Sequence, residues 1–285
     1  MRNNPDMFSQ KFNLPYSALT MGGRVKMDWL LNIFQDAASA QCHAQGISGY
    51  DMAKKDLKWV VAQYRIQIHK SIDWMTPLVV QTWRGPWKNL YEIREFRLVV
   101  EQKHTREKPT PLVTASSIWV LIKAANNKPV RLAPNMPASL MTCPVQEPAK
   151  RIKPSADLTH VDHECSFPVH FLDLDLNEHV NNPVYVRWAV ESLPDPLNFE
   201  YTPMTCDVIY QKEALPGDTV QSRMSIHFEN DLLFTDHAIV RHASKENLAR
   251  LMISWKKTAP QSLCYKAITG RPDLSTPRRT PNKTG

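Results

Sequence analysis

The sequence predicts an α+β fold built from two like halves. Three observations carry this. One amphipathic helix followed by a run of four alternating segments occurs twice along the chain, which is an α+β order and an internal duplication. A stretch from about residue 131 to 161, punctuated by Pro134, Pro137, Pro144, Pro148 and Pro154, separates the two occurrences. The 285 residues are 42% hydrophobic and 22% charged, a globular balance with length for one large core or two domains. The organisation expected is an N-terminal unit over 1–130, a linker over 131–161, a C-terminal unit over 162–260 and a disordered tail over 261–285.

The first unit opens with a short strand in QKFNLPYSAL and a turn through Gly22 and Gly23. Asp28 is placed to cap a helix over about Trp29–Gln45. Leu30, Ile33, Phe34, Ala37, Ala38 and Cys42 recur there at three and four residues, and Gly46 closes it. Strands are expected over 60–70, 77–85, 91–100 and 114–123, with turn signals that suit an antiparallel sheet. The second unit repeats the order, with a strand over 165–176, a helix over 183–193 stopped by Pro194, and strands over 204–213, 218–229, 232–242 and 249–257. The duplication extends to local resemblance, TPLVVQT (76–82) beside PGDTVQS (216–222).

One stretch stands apart. In FLDLDLNEHVNNPVYVRWAVESLP, Leu172, Leu174 and Leu176 take one parity and Asp173, Asp175, Asn177 and His179 the other, an extended segment with an apolar and a polar face. Asn182 then suits an N-cap and Pro183 the first helical position, with Val184, Tyr185, Trp188 and Ala189 at helical spacing. His179 and Asn181 thus fall beside a helix N-terminus, whose unpaired N–H groups favour a developing oxyanion. Fully extended, Asp175 and His179 would lie about 13 Å apart at roughly 3.3 Å per residue, so contact requires a bend. On pattern alone the segment is either a polar strand edge leading into a capped helix or a catalytic strand-to-helix corner. A calcium loop is disfavoured: Asp173, Asp175 and Asn177 copy its first three ligand positions, but Glu178 and Val184 stand where it needs Gly and Glu.

DLDLNEHVNNPVYVRW resembles the signature of the acyl-ACP thioesterases, the plant-type family and its bacterial relatives: an Asp-x-Asn-x-His core in Asp175, Asn177 and His179, then Val180, Asn181, Asn182, Tyr185 and Trp188. The resemblance spans about residues 8–260 and implies a tandem (double) hotdog, each unit a long helix wrapped by an antiparallel sheet. It implies hydrolysis of acyl-ACP to a free fatty acid and carrier thiol. The family adds a Glu-Cys pair downstream; in IYQKEALPGD, Glu213 matches and Ala214 replaces the Cys, so a Cys nucleophile at that position is not this chain's mechanism. The resemblance implies Glu213 as base or water-orienting group and Asn177 as the group polarising the thioester carbonyl. It implies His179 to orient water or protonate the leaving thiolate, and Asp175 to support them or act as alternative nucleophile or base. The first half would then supply the acyl pocket, with Trp29, Ile33 and Phe34 as lining residues, or these are simply core. Alternatives carried beside this are an acyl-CoA thioesterase, a non-catalytic acyl-binding hotdog protein and a hotdog dehydratase.

Composition narrows the partners. Eight glycines without a Gly-rich phosphate loop argue against a nucleotide, and no cofactor is expected. Five scattered cysteines without a CxxC fit free thiols, and His163 with Cys165 lacks the second ligand pair of a zinc site. The N-terminus lacks a secretory h-region and no long apolar run occurs, so the cytoplasm and no membrane span are expected. A net charge of +7 without an aromatic-interleaved basic stripe points away from nucleic acid. The resemblance turns that basic excess toward acyl carrier protein, which is acidic, and leaves monomer and homodimer both open.

Overall fold

Alternation of buried and exposed residues builds one sheet across both halves. The structure, a computed structural model, describes residues 7–102, 109–141, 152 and 157–258. Its elements are β1 (Phe8–Asn13), α1 (Met27–Ala44), α2 (Gly49–Ala53), β2 (Leu57–Ile68), β3 (Pro77–Trp87), β4 (Tyr91–Val100), β5 (Val113–Lys123) and α3 (Ala138–Met141) in the first half. The second half holds β6 (His163–Pro168), α4 (Asn182–Glu191), α5 (Asp195–Glu200), β7 (Tyr201–Tyr210), β8 (Thr219–Glu229), β9 (Leu232–Arg241) and β10 (Asn247–Lys257). The ten strands pair antiparallel in the order β1-β3-β4-β5-β2-β7-β10-β9-β8-β6. Read outward from the centre, the first half runs β2, β5, β4, β3, β1 and the second β7, β10, β9, β8, β6, so each half is the other turned about the β2·β7 seam. Hairpin chemistry fixes local register: β8 and β9 join through Asn230 and Asp231, both at positive φ (48° and 64°), as a two-residue primed turn requires.

The seam pairs Gln63–Gln67 of β2 with Thr205–Ile209 of β7. Arg65 lies opposite Asp207 and forks onto it, Nε to Oδ1 at 2.7 Å and Nη2 to Oδ2 at 2.5 Å. The helices meet on one face of the sheet, α1 packing on α4. α1 buries Leu30, Leu31, Phe34, Ala37, Ala38 and Gln41, and the small side chains of Ala37 and Ala38 let its backbone approach closely. α4 buries Val184, Tyr185, Val186, Trp188 and Ala189. A single core runs through both halves, from Leu30 and Phe96 to Trp188 and Trp255.

Several sequence expectations shift. α1 starts at Met27 with Lys26 as N-cap, and Asp28 sits in its first turn, because the Lys26 N–H is claimed by the Ala18 carbonyl at 2.8 Å and this strap sets where the helix begins. α4 starts at Asn182, so Pro183 is its second residue and Asn181 the N-cap. The expected strand over 165–176 stops at Pro168. The hydrogen bonds Leu14 N to Thr76 O and Val169 N to Asp218 O match the halves, pairing Thr76 with Asp218 rather than with Pro216. In the proline-punctuated stretch, Leu132, Met136 and Leu140 are buried with Ile47, Met52, Leu57 and Leu121 in a second cluster, so its described beginning is packed. The expected disordered tail over 261–285 lies outside the described residues. Among the described residues no helix is long and apolar enough to cross a membrane.

Two buried polar features set measurable limits on stability. Beneath the C-terminal half of α1, Glu92 lies between Arg84 and Arg94, all 3% exposed or less, and Arg94 also bonds Gln41 of α1. Replacing the one anion of this triad, Glu92→Gln, strands two buried guanidinium groups and is expected to cost about 3–5 kcal/mol in urea denaturation. His237 is fully buried, which pushes its pKa down to about 3. Its folded value lies below the unfolded one, so the unfolded chain binds the extra proton between those values and stability falls as pH drops. Between pH 7 and pH 5 this site alone is expected to remove about 2 kcal/mol. A His237→Leu variant should show a correspondingly flatter stability profile over that range in denaturant titrations.

Candidate active site

The corner between β6 and α4 is built by backbone closure rather than by an extended strand. After β6, Phe171–Asp173 form one tight turn, and a bridge between Leu174 and Val180 closes a short loop. Asp175 N–H donates to the His179 carbonyl at 2.8 Å and Glu178 N–H to the Asp175 carbonyl at 3.1 Å. Glu178 takes φ 62°, the left-handed turn that brings the chain back. This replaces the separation of an extended segment with direct backbone contact. It also breaks the expected two-faced pattern: Leu172 and Leu176 are exposed at 91% and 81%, with Phe171 beside them, while Asp173 is buried.

Asp173 is the anchor of the corner. Its carboxylate accepts from the His170 N–H at 2.9 Å and pairs with Arg187 on α4, and its carbonyl accepts from Asn181 N–H at 2.8 Å. Asn181, as N-cap, turns its amide away from its own helix and accepts from Gln35 Nε2 of α1 at 3.2 Å. The corner is thereby pinned to both helices.

Glu213 arrives from the strap after β7. Its Oε2 stands 3.2 Å from His179 Nε2, and its Oε1 stands 3.3 Å from Lys58 Nζ of β2. The carboxylate therefore bridges an imidazole of the second half and an ammonium of the first. The strap is held by its backbone: the Glu213 carbonyl accepts from Arg241 Nη2 at 2.7 Å, the Ala214 N–H donates to Tyr185 Oη at 2.8 Å, and the Ala214 carbonyl accepts from Val180 N–H at 3.1 Å. Burial raises the Tyr185 phenol to about 12, so it stays protonated at neutral pH. Ala214 is fully buried at the position where the resemblance would put a Cys. Cys206 is buried as well, and desolvation pushes its thiol far up, which removes it as a nucleophile.

Of the residues singled out from the sequence, His179 and Glu213 come into side-chain contact. Asp175 and Asn177 face each other at the exposed tip, the Asp175 carboxylate accepting from the Asn177 backbone at 2.8 Å and from its amide at 3.3 Å. Trp29, Ile33 and Phe34 lie on α1 in the core region; Phe34 is fully buried against Phe96 and Trp29 packs edge-on against Phe12. Lys58 and Gln35 were not singled out. Both sit in the first half, and nothing local in their segments signals a partner across the seam. Among the described residues no group of three or more His, Cys, Asp or Glu side chains is arranged to hold a metal ion.

Known proteins resemble this chain in sequence and in fold. The acyl-ACP thioesterase N-terminal domain family matches residues 5–140 and the acyl-ACP thioesterase C-terminal domain family matches residues 157–257. The chain belongs to the acyl-ACP thioesterase family. A palmitoyl-acyl carrier protein thioesterase of Gossypium hirsutum, a chloroplast protein, is 25% identical over 260 residues, 86% of this chain and 60% of that protein. An oleoyl-acyl carrier protein thioesterase of Coriandrum sativum is 22% identical over 80% of this chain and 65% of its own length. The chain thus spans about half to two thirds of such relatives. Among solved structures, a 12:0-ACP thioesterase from Umbellularia californica superposes with a TM-score of 0.76 at 17% identity, over 90% of this chain and all of that one. An acyl-ACP thioesterase from Bacteroides thetaiotaomicron gives 0.72 at 18% identity over 90% of this chain and all of its own. The fold is the double hotdog that these structures share.

The Tyr185 hydroxyl is the acceptor for a buried amide at the base of the Glu213 strap. Tyr185→Phe should therefore destabilise the chain by about 1–3 kcal/mol in urea unfolding, the cost of a buried donor left without its partner.

Proposed function

We propose that this chain hydrolyses the thioester of a fatty acyl group carried on acyl carrier protein, releasing the free fatty acid and the carrier thiol and so ending chain extension. The observation that carries the reading is the Glu213 carboxylate held between His179 and Lys58 at the N-terminal corner of α4. A thioester is already activated, so hydrolysis needs a positioned water, a base and stabilisation of the oxyanion.

In this reading Glu213 takes a proton from water as the water oxygen bonds to the acyl carbon. Asn177 has a second amide N–H beyond the one given to Asp175 and polarises the acyl oxygen, helped by the N-terminal end of α4. As the tetrahedral intermediate collapses the C–S bond breaks, and the departing thiolate takes a proton from the Glu213–His179 pair. Lys58 fixes the carboxylate in rotation, and Asp175 holds Asn177. The exposed Phe171, Leu172 and Leu176 give the corner an apolar rim, which suits an amphiphilic substrate delivered from a carrier. The basic net charge favours an acidic carrier over a neutral one. The acyl chain would run toward the first half, which supplies Lys58 and α1. The proposed setting is the cytoplasm, with the chain acting as a monomer or homodimer.

Purified protein mixed with a panel of acyl-ACPs and matching acyl-CoAs, with free thiol followed over time, tests this. Rapid release from acyl-ACP is expected. Glu213→Gln should lower kcat by about 10²–10⁴-fold, the usual contribution of a general base, with the fold intact by circular dichroism. Lys58→Met should cost less, on the order of tenfold in kcat, because it loosens the base rather than removing it. Thiol release from acyl-CoA alone would reassign the carrier, and no release from either would remove the hydrolytic reading.

A further inference from the structure

The duplication gives α1 a corner of its own, and that corner retains a cavity. Thr20 N–H donates to the Arg24 carbonyl at 2.7 Å, as Asp175 does to His179. Gly23 N–H donates to the Thr20 carbonyl at 2.9 Å with φ 74°, as Glu178 does to Asp175 with φ 62°. Lys26 N–H meets the Ala18 carbonyl at 2.8 Å, as Asn181 meets Asp173, and the Leu19–Val25 bridge repeats Leu174–Val180. On the strap, His69 and Lys70 both donate to the Leu112 carbonyl, as Gln211 and Lys212 do to Leu248. These matches place Thr20 at the position of Asp175, Gly22 at Asn177, Arg24 at His179 and Ser71 at Glu213.

All four counterparts line one cavity of about 610 Å³. That size falls within the roughly 300–1,000 Å³ range of small-molecule sites. Its apolar wall includes Ile68, Ile72, Val113, Val190 and Trp255. Asp175, Asn177, His179 and Glu213 do not line it. It lies instead against the C-terminal half of α4, at Arg187, Val190 and Glu191, about 7–14 Å along the helix from the catalytic corner, whose Asp173 pairs with Arg187. The charged lining is Arg24, Lys26, Lys70 and Arg187 against Asp28, Asp73 and Glu191. Arg24 reaches across the seam side, donating to the Tyr201 carbonyl at 2.6 Å and to Thr258, and Arg187 is committed to Asp173.

The substitutions have one direction. At the catalytic corner the four positions carry two carboxylates; at the second they carry none and gain a guanidinium. The base of the first corner has no counterpart at the matched position. There a ligand carboxylate meets a guanidinium in place of the first corner's two carboxylates, of which Glu213 is offset by Lys58, while Asp28, Asp73 and Glu191 line other parts of the cavity.

We infer that the cavity at the α1 corner is a second, non-hydrolytic site that binds a long-chain carboxylate, its head group beside Arg24 and Ser71 and its chain along the apolar wall. Naming the ligand as a fatty acid rests on the hydrolytic reading, which generates one at the other corner.

Displacement of the fluorescent fatty acid cis-parinaric acid from the full chain by dodecanoate tests the site. Wild type and Glu213→Gln are expected to bind the probe with the same affinity, and 1-dodecanol to compete at least tenfold more weakly than dodecanoate. Arg24→Gln and Ser71→Glu should each weaken binding tenfold or more. Ser71 is exposed, so its variant keeps the fold even where loss of the Arg24 contacts does not. No binding to wild type, equal binding by both corner variants, or loss of binding in Glu213→Gln alone would overturn the proposal. Hydrolysis of acyl-ACP measured on the same preparations separates the two readings: turnover without probe binding removes the second site only, and probe binding without turnover removes the enzyme reading only.

Discussion

Pairing of β2 with β7 is the constraint from which the rest follows. It merges two five-stranded sheets into one and brings α1 against α4, so a single core runs through both halves. It also sets Lys58 beside Glu213 and Gln35 beside Asn181. The Arg65–Asp207 fork locks the register of this seam, and a one-residue slip would turn β2's side chains to the opposite face and carry Lys58 away from the carboxylate. The candidate site is thus a property of the seam as much as of the loop that carries most of its residues.

The corner itself is held by backbone hydrogen bonds and an ion pair between the buried Asp173 carboxylate and the half-exposed Arg187, with its polar tip left to solvent. Asp173, Asn181 and the Ala214 strap carry the mechanical load, while Asp175, Asn177, His179 and Glu213 remain reachable. This division explains why acidic residues two apart in sequence have opposite fates. Asp173 is drawn inward by Arg187, and Asp175 is turned outward by the tight loop.

Much of the architecture was legible because it rests on periodicity. The strands β3, β4, β8, β9 and β10 and both long helices follow alternation or three-to-four spacing, and the duplication follows from their order. Asp175, Asn177, His179 and Glu213 were singled out through a family pattern rather than through physics alone, and the structure brings His179 and Glu213 into contact. What the sequence concealed depends on long-range closure. The strand expected over 165–176 failed because the pattern of Leu and Asp imitates an amphipathic strand, whereas the backbone bonds from Asp175 to His179 and from Asn181 to Asp173 favour a closed loop with Leu172 and Leu176 outside. Asp28 looked like a cap because its side chain suits one, but the strap from Ala18 had already fixed the start of α1 at Met27. Lys58 gave no signal, since an ordinary strand lysine is distinguished only by what the seam places opposite it.

Both corners reside in one covalent chain, with Arg24 and His179 specified by separate codons. In an assembly of two identical subunits, any substitution at one corner would appear at its twin, and an Arg in place of the imidazole would silence both. Here each corner can vary alone, at the cost of a single change, while the shared sheet keeps the other in register. Asymmetry of chemistry on a nearly symmetric scaffold is open to such a chain and closed to a homodimer of its halves.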